Sequence, residues 1–173
     1  MELQTKRLIL REYVLDDWEA VHRYHSDPIA VQFESWGPHS IVETKAFIRE
    51  AMNRAVEKKR KRIELVACLR SNGRLIGGCG LRLGEMKKGV ATLGYIFDRT
   101  VWGNGFATEA AAAMIEAARN LEGIHTIHAT CDSRNIASQR VLEKLGMEAV
   151  GMVAELEMVK DCFRDMIQYE MPL

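Results

Sequence analysis

Two glycines lie where a strand-like run changes into a strongly helical run. Residues 91–97 are typical of a strand, and residues 106–120 are typical of a helix. Gly103 and Gly105 occupy the turn between them, in the string VWGNGFATEA. A turn of this kind aims unpaired backbone N–H groups and the positive end of the helix dipole at one point. The sequence therefore predicts a phosphate or pyrophosphate site, at which glycine permits close approach.

Two familiar phosphate motifs fit this turn poorly. A P-loop needs Gly-Lys-Ser/Thr at its end, whereas Phe106-Ala107-Thr108 follows Gly105. The dinucleotide fingerprint G-x-G-x-x-G/A fails at its third position, which is Thr108. A plain connection between strand and helix is the structural alternative.

Length and charge bound the class of protein. The chain has 173 residues, which suits one domain spanning 1–173. Its 24 basic and 24 acidic residues cancel, so no global charge draws it to nucleic acid or membrane. The first seven residues lack a signal-peptide core, and the 4 cysteines and 5 histidines lack metal spacing. We expect a cytoplasmic monomer or homodimer that binds no metal, no nucleic acid directly and no membrane.

Hydrophobic periodicity predicts a mixed α/β chain in the order β-α-α-β-β-β-α-β-α-β-β. The predicted strands are residues 8–11, 63–69, 75–83, 91–97, 124–130, 147–153 and 166–171. Helices are predicted from Asp16 to before Pro28, after a capping box formed by Ser40 and Glu43, and over residues 106–120 and 135–145.

The last of these helices carries a second notable string, NIASQRVLEKLGM at residues 135–147. Asn135 is a good N-cap, apolar positions follow at helical spacing, and Gly146 ends the helix. By itself the string predicts a capped amphipathic helix.

Together the two strings resemble motifs of the acyl-CoA N-acyltransferases of the GNAT superfamily. The family turn, [Q/R]-x-x-G-x-[G/A], matches at Gly105 and Ala107, and Trp102 takes the first position as in the branch resembling ribosomal-protein alanine and serine N-acetyltransferases. The second family motif matches at Asn135, Ser138, Glu143, Lys144 and Gly146. The opening residues 2–11 and the late Phe163-Arg164-Asp165 string also resemble this branch. The resemblance implies an α/β single-domain fold whose central, mostly antiparallel sheet is splayed at the cofactor site and flanked by helices.

The same resemblance implies acetyl-CoA as cosubstrate and assigns residues to it. The backbone of Tyr95, Ile96 and Phe97 is expected to bind the pantetheine arm, with an N–H near Ile96 polarising the thioester carbonyl. The pyrophosphate and its surroundings are assigned to Trp102, Gly103, Asn104, Gly105, Phe106, Ala107 and Thr108, and the second motif adds Asn135 and Ser138.

Acyl transfer from a thioester to an amine needs a neutral amine and a stabilised leaving thiolate. Leu142 stands where many family members place a tyrosine acid, so we predict that Ser138 hydrogen-bonds the thiolate. The alternative is that Ser138 bonds within its own helix. Thr92 stands where the branch often has a glutamate, which leaves Glu34 and Glu109 as candidate bases. Glu109 fits better as a first-turn carboxylate, so the expected base is Glu34, with water as the alternative.

The resemblance implies an N-acetyltransferase acting on a primary amine, and we expect a protein N-terminal α-amine. Such an amine, with a pKa of about 7.7–8.0, loses its proton more easily than lysine at about 10.4. The alternatives are a small amine, such as a polyamine, amino acid or antibiotic, and a catalytically silent acyl-CoA sensor. We expect the acceptor walls to come from residues 33–39 and 155–163.

Overall fold

The computed structural model describes residues 1–84, 87–154 and 165–173, and places helices against both faces of one sheet. The strands are β1 (Glu2–Gln4), β2 (Leu8–Glu12), β3 (Arg62–Leu69), β4 (Leu75–Leu83), β5 (Val90–Phe97), β6 (Thr126–Asp132), β7 (Glu148–Ala154) and β8 (Asp165–Pro172). The helices are α1 (Trp18–His25), α2 (Ile41–Ala55), α3 (Phe106–Arg119) and α4 (Ile136–Lys144), with 3-10 turns at Leu15–Asp17 and Arg99–Val101. Strand order across the described sheet is β1-β2-β3-β4-β5-β6-β8-β7.

The apolar core lies on both faces of the sheet. Leu65 belongs to a cluster with Met114 of α3, whereas its neighbour Val66 packs on the other face with Ile48 of α2. Successive side chains of a strand point to opposite faces, so a strand covered on both sides reads as a continuous apolar run. This explains the continuous apolar run over residues 65–69 of β3.

The sheet opens between β5 and β6. These two strands run parallel and pair over Val90–Thr92 and Thr126–His128, whereas the other neighbouring strand pairs of the described sheet are antiparallel. Beyond Thr92, β5 continues to pair with β4 as far as Phe97. The second half of β5 therefore faces a gap, as the predicted splayed sheet requires.

The predicted elements are confirmed with small shifts at their ends. Strand β1 was not predicted, because three residues at a sheet edge carry too little hydrophobic pattern. The capping box at the start of α2 is present, with the Ser40 hydroxyl accepting from the Glu43 N–H. The predicted acceptor wall at 155–163 and the Phe163-Arg164 pair lie outside the described residues. None of the helices in the described ranges has the length and apolar character needed to cross a bilayer.

Candidate functional site

The glycine turn presents backbone N–H groups at the start of α3. Gly103 and Gly105 both have φ of 77°, in the left-handed region that favours glycine. Gly105 is the N-cap of α3. Glycine has no side chain that could accept hydrogen bonds from the N–H groups in the first turn of the helix. These N–H groups therefore remain available to a ligand. The turn therefore has the geometry of an anion site.

Polar side chains hold this turn in shape. The Trp102 indole Nε1 donates to the Phe97 carbonyl at 2.8 Å, and Asn104 Nδ2 donates to the Val101 carbonyl at 3.0 Å. Asp98 accepts from the Thr100 N–H at 2.9 Å. Trp102 and Asn104, both predicted to bind the cofactor, thus have side chains that bond back onto the turn.

Glu109, one of the two candidate bases, is bound by residues near the start of the chain. Its carboxylate accepts from the Thr5 hydroxyl at 2.6 Å and from the Arg7 N–H at 2.7 Å. These hydrogen bonds lower the pKa of Glu109, against the effect of its burial. The carboxylate thus ties α3 to the start of the chain, and Glu34 is the base candidate that lies near the cleft.

A cleft opens beside the uncovered half of β5. Gly94 lies in this central strand yet is exposed, and a Cβ built on it would meet no heavy atom within 4 Å. The neighbouring Ile96 is half-buried and packs towards α1 and α2. The space left by Gly94 lets an extended ligand approach the backbone from Gly94 to Phe97.

Tyr95 and Ser138 meet across this cleft. The Tyr95 hydroxyl is 2.8 Å from Ser138 Oγ and donates to the Ser138 carbonyl at 3.3 Å. The Ser138 hydroxyl therefore contacts the Tyr95 hydroxyl of β5. Asn135 caps α4 by accepting from the Ser138 N–H at 3.1 Å, as predicted for an N-cap.

The environment of this pair keeps its acidic groups protonated. Burial raises the pKa of the Tyr95 phenol, the bond to Ser138 lowers it, and the charges of neighbouring groups, Glu34 included, raise it further. Burial also raises the pKa of the Cys131 thiol to about 11, with the nearby Ser138 hydroxyl acting in the opposite direction. At neutral pH the cleft wall therefore offers neutral hydroxyl donors.

Glu34 lies in the loop between α1 and α2, which reaches over the cleft. The loop contacts the far side, where Arg134 lies 5.9 Å from the Phe33 ring. It is also tied to the 3-10 turn that precedes the glycine turn by an ion pair between Asp27 and Arg99 at 3.0 Å. Glu34 is half-buried and close enough to affect the Tyr95 phenol. The fold thus brings the predicted base near Tyr95 and Ser138.

A cluster of rings, missed by the sequence analysis, fixes the ends of this loop. His25 Nδ1 lies 3.3 Å from His39 Nδ1, and the Trp36 ring packs against both imidazoles at 4.6 and 4.5 Å between centroids. Burial is the main cause that lowers the pKa of His25, to about 3, and it also lowers the pKa of His39. Spacing alone does not show that two histidines 14 residues apart will share a hydrogen bond.

The Tyr95 hydroxyl is the second feature that sequence reasoning missed, because only the backbone of this residue was assigned a role. A tyrosine inside an apolar strand usually finds a hydrogen-bond partner when it is buried, and this was the available signal. Leu142, at the position of the family tyrosine, is 1% exposed and belongs to the core. In the described residues, His, Cys, Asp and Glu side chains form no group of three that can hold a metal ion.

Residues 7–148 match the family model described as "Acetyltransferase (GNAT) domain". Among curated proteins, the chain is 33% identical over 153 residues to the uncharacterized N-acetyltransferase YnaD of Bacillus subtilis (strain 168). That alignment covers 87% of this chain and 85% of the relative.

Two solved structures share the fold at low sequence identity. The microcin C7 self-immunity acetyltransferase MccE, in complex with acetyl-CoA and AMP, has a TM-score of 0.85 at 17% identity and covers 98% of this chain and 94% of its own. The ribosomal L7/L12 α-N-protein acetyltransferase RimL also has a TM-score of 0.85 at 17% identity, covering 100% of this chain and 94% of its own. At these identities the likeness concerns the fold alone.

Proposed function

The chain belongs to the GNAT acetyltransferase family, and we propose that it moves the acetyl group of acetyl-CoA to the N-terminal α-amine of a protein. The observation that carries the proposal is the position of the Tyr95–Ser138 pair at the opening between β5 and β6. Hydroxyl groups therefore lie beside the uncovered part of β5.

Three features of the chain fit acetyl-CoA as substrate. The N–H groups behind Gly105 fit the pyrophosphate, the uncovered backbone from Tyr95 to Phe97 fits the pantetheine amides, and the space at Gly94 admits an extended arm. We assign Trp102, Asn104 and Asn135 to shaping the turn and the helix end that border this path, since their side chains bond locally.

The proposed reaction is direct transfer. The amine nitrogen attacks the thioester carbonyl carbon, which an N–H near Ile96 polarises, and the carbon–sulfur bond breaks with its electron pair remaining on sulfur. Glu34 accepts the proton that the amine gives up, and the Ser138 hydroxyl donates a hydrogen bond to the leaving thiolate. The proton passes on to the thiolate or to water, and the products are the N-acetyl amine and the free thiol of coenzyme A.

The class of amine that accepts the acetyl group is the most specific part of the proposal. An α-amine is partly neutral near pH 8, so a single half-buried carboxylate suffices as a base, whereas a lysine needs stronger activation. The name of RimL records an α-N-protein acceptor and supports this choice. MccE, whose structure contains AMP, supports a small-molecule acceptor as the second candidate.

Thiol release from acetyl-CoA with matched acceptors separates these candidates. One peptide has a free N-terminus and no lysine, a second has a blocked N-terminus and one lysine, and a polyamine and an aminoglycoside represent small amines. Turnover with the first peptide alone is the expected result. Preference for a small amine would replace the proposed acceptor. Binding of acetyl-CoA without turnover on any amine would indicate the silent sensor.

A further inference from the structure

The hydroxyls of Tyr95 and Ser138 form a bridge between two elements that the splayed sheet separates. Tyr95 lies on β5, and Ser138 lies on α4, which follows β6. The two oxygens are 2.8 Å apart although the residues are 43 positions apart in the chain. A hydrogen bond of this length across a cleft orients both hydroxyl groups.

Chemistry selects the direction of this bond. A phenol is a stronger acid than an aliphatic hydroxyl, so the favoured donor is Tyr95 and the favoured acceptor is Ser138 Oγ. The Tyr95 oxygen also lies 3.3 Å from the Ser138 carbonyl, and the single phenol hydrogen favours the shorter 2.8 Å contact with Ser138 Oγ and shares the carbonyl only as a weaker second acceptor. With its oxygen accepting from Tyr95, the Ser138 hydroxyl directs its own hydrogen to the neighbouring Cys131 sulfur or, when a ligand is bound, to a partner in the cleft.

We propose that Tyr95 is a positioning residue that turns the Ser138 hydroxyl hydrogen towards the sulfur of the leaving thiolate. This inference rests on the proposed function, because it assigns a partner to the serine of the same site. Ser138 donates a hydrogen bond and keeps its proton, since an aliphatic hydroxyl is a much weaker acid than a thiol of pKa about 8.5. The phenol thereby supports the leaving group from β5, while the helix position of the family tyrosine is a buried leucine.

A purely structural bridge is the competing explanation. Under that explanation the phenol holds α4 against β5. Its loss then changes the stability of the protein or its affinity for acetyl-CoA, but not the pKa of the bound coenzyme A thiol. The two explanations therefore differ in kcat and in the acidity of a bound thiol.

Kinetics test the proposal with a double-mutant cycle. Tyr95→Phe should lower kcat about three- to tenfold, the worth of one neutral hydrogen bond, and leave the acetyl-CoA Kd within about twofold. Ser138→Ala should lower kcat about 10–100-fold. In the Ser138→Ala background Tyr95→Phe should have no further effect on kcat, whereas in the hydroxyl-bearing Ser138→Thr background it should still lower kcat. If the effects of Tyr95→Phe and Ser138→Ala on kcat are fully additive, the proposal is overturned.

A titration that needs no acceptor separates this proposal from the proposed function. The thiolate absorbance of protein-bound coenzyme A is measured against pH, with the S-methyl thioether of coenzyme A as the blank for the protein's own thiols. A hydrogen bond from Ser138 stabilises the thiolate and lowers the pKa of the bound thiol, so Tyr95→Phe and Ser138→Ala should each raise it. Tyr169→Phe, a buried tyrosine on β8, is the matched control.

Each outcome of the titration decides between the two explanations. An unchanged thiol pKa in Tyr95→Phe would overturn the proposal, whatever the result for Ser138→Ala and even if the enzyme acetylates an amine. A raised thiol pKa in Tyr95→Phe would uphold it even if every acceptor in the panel fails. If Tyr95→Phe does not fold, as judged by near-UV circular dichroism, Tyr95→Leu, which also removes the phenol hydroxyl, takes its place in both measurements.

Discussion

The Arg7 guanidinium donates through Nε to the Glu109 carboxylate at 2.6 Å and joins the residue before β2 to the first turn of α3. Another nitrogen of Arg7 donates to the Asn104 carbonyl at 2.9 Å, and the guanidinium carbon lies 4.4 Å from the centroid of the Phe106 ring. The start of the chain therefore clamps the helix whose N-terminus carries the glycine turn. This relationship gives both Arg7 and Glu109 a structural role at the edge of the site.

Glu109→Gln should lower the free energy of unfolding by about 1–3 kcal/mol, because a charged acceptor of several hydrogen bonds is lost. Urea unfolding measures this change. The pH dependence of kcat should keep its wild-type shape, because Glu109 faces Thr5 and Arg7. Loss of the acidic limb of that profile, along which the rate rises as a general base loses its proton, would restore Glu109 as the base if the variant is folded.

Gly105→Val should abolish acetyl-CoA binding, since a branched side chain would enter the space proposed for the pyrophosphate. A Cβ built on Gly105 would lie 3.6 Å from a guanidinium nitrogen of Arg7, so the position has room for a side chain. The φ of 77° nevertheless strains any L residue there. Gly123→Val is the matched control, because Gly123 has the same φ and nothing within 4 Å. Calorimetry should show binding lost in the first variant alone, and equal affinities would refute the assignment.

Glu34→Gln should lower kcat/KM for the best acceptor by about tenfold, less than the full range for a general base because water can substitute. The dependence of the rate on high pH should steepen, and acetyl-CoA affinity should stay unchanged. Rates across about pH 6–9 cover the titration of an α-amine. Glu57→Gln, at an exposed carboxylate after α2, is the control. If the Glu34 variant follows the wild-type profile, the amine proton leaves by water.

The stability of the loop over the cleft should fall in mild acid. His25 has a pKa lowered to about 3 by burial, with His39 and His22 acting in the same direction, whereas an unfolded histidine titrates near 6.5. Between these values the unfolded chain binds more protons at this site, so the free energy of unfolding decreases as the pH falls. The free energy of unfolding changes by at most about 1.4 kcal/mol per pH unit through this group. The stabilisation that the neutral His25 provides is fully present above about pH 6.5.

Urea unfolding of the wild type and His25→Phe at about pH 7.5 and about pH 5 checks this sign. The variant has lost the titrating group, so its stability should depend less on pH across that interval. Parallel losses in the two proteins would mean that His25 does not carry the effect.

Local signals in the sequence determined most of the elements and the two family motifs. The Ser40–Glu43 capping box and the Asn135 cap each join residues three positions apart, and the glycines at 103 and 105 meet a backbone requirement at their own positions. Such features depend on a few neighbouring dihedral angles, so a short stretch of chain contains all the information they need.

Tertiary structure decided which distant side chains meet. Alternation along β5 shows that Tyr95 shares a face with Leu93, but the partner of its hydroxyl depends on how α4 packs beside the gap. The Arg7–Glu109 pair spans 102 positions, and β8 lies between β6 and β7 although it follows both in the chain. These contacts arise from the packing of whole elements, which fixes distances to within an ångström, whereas a hydrophobic pattern specifies only a face.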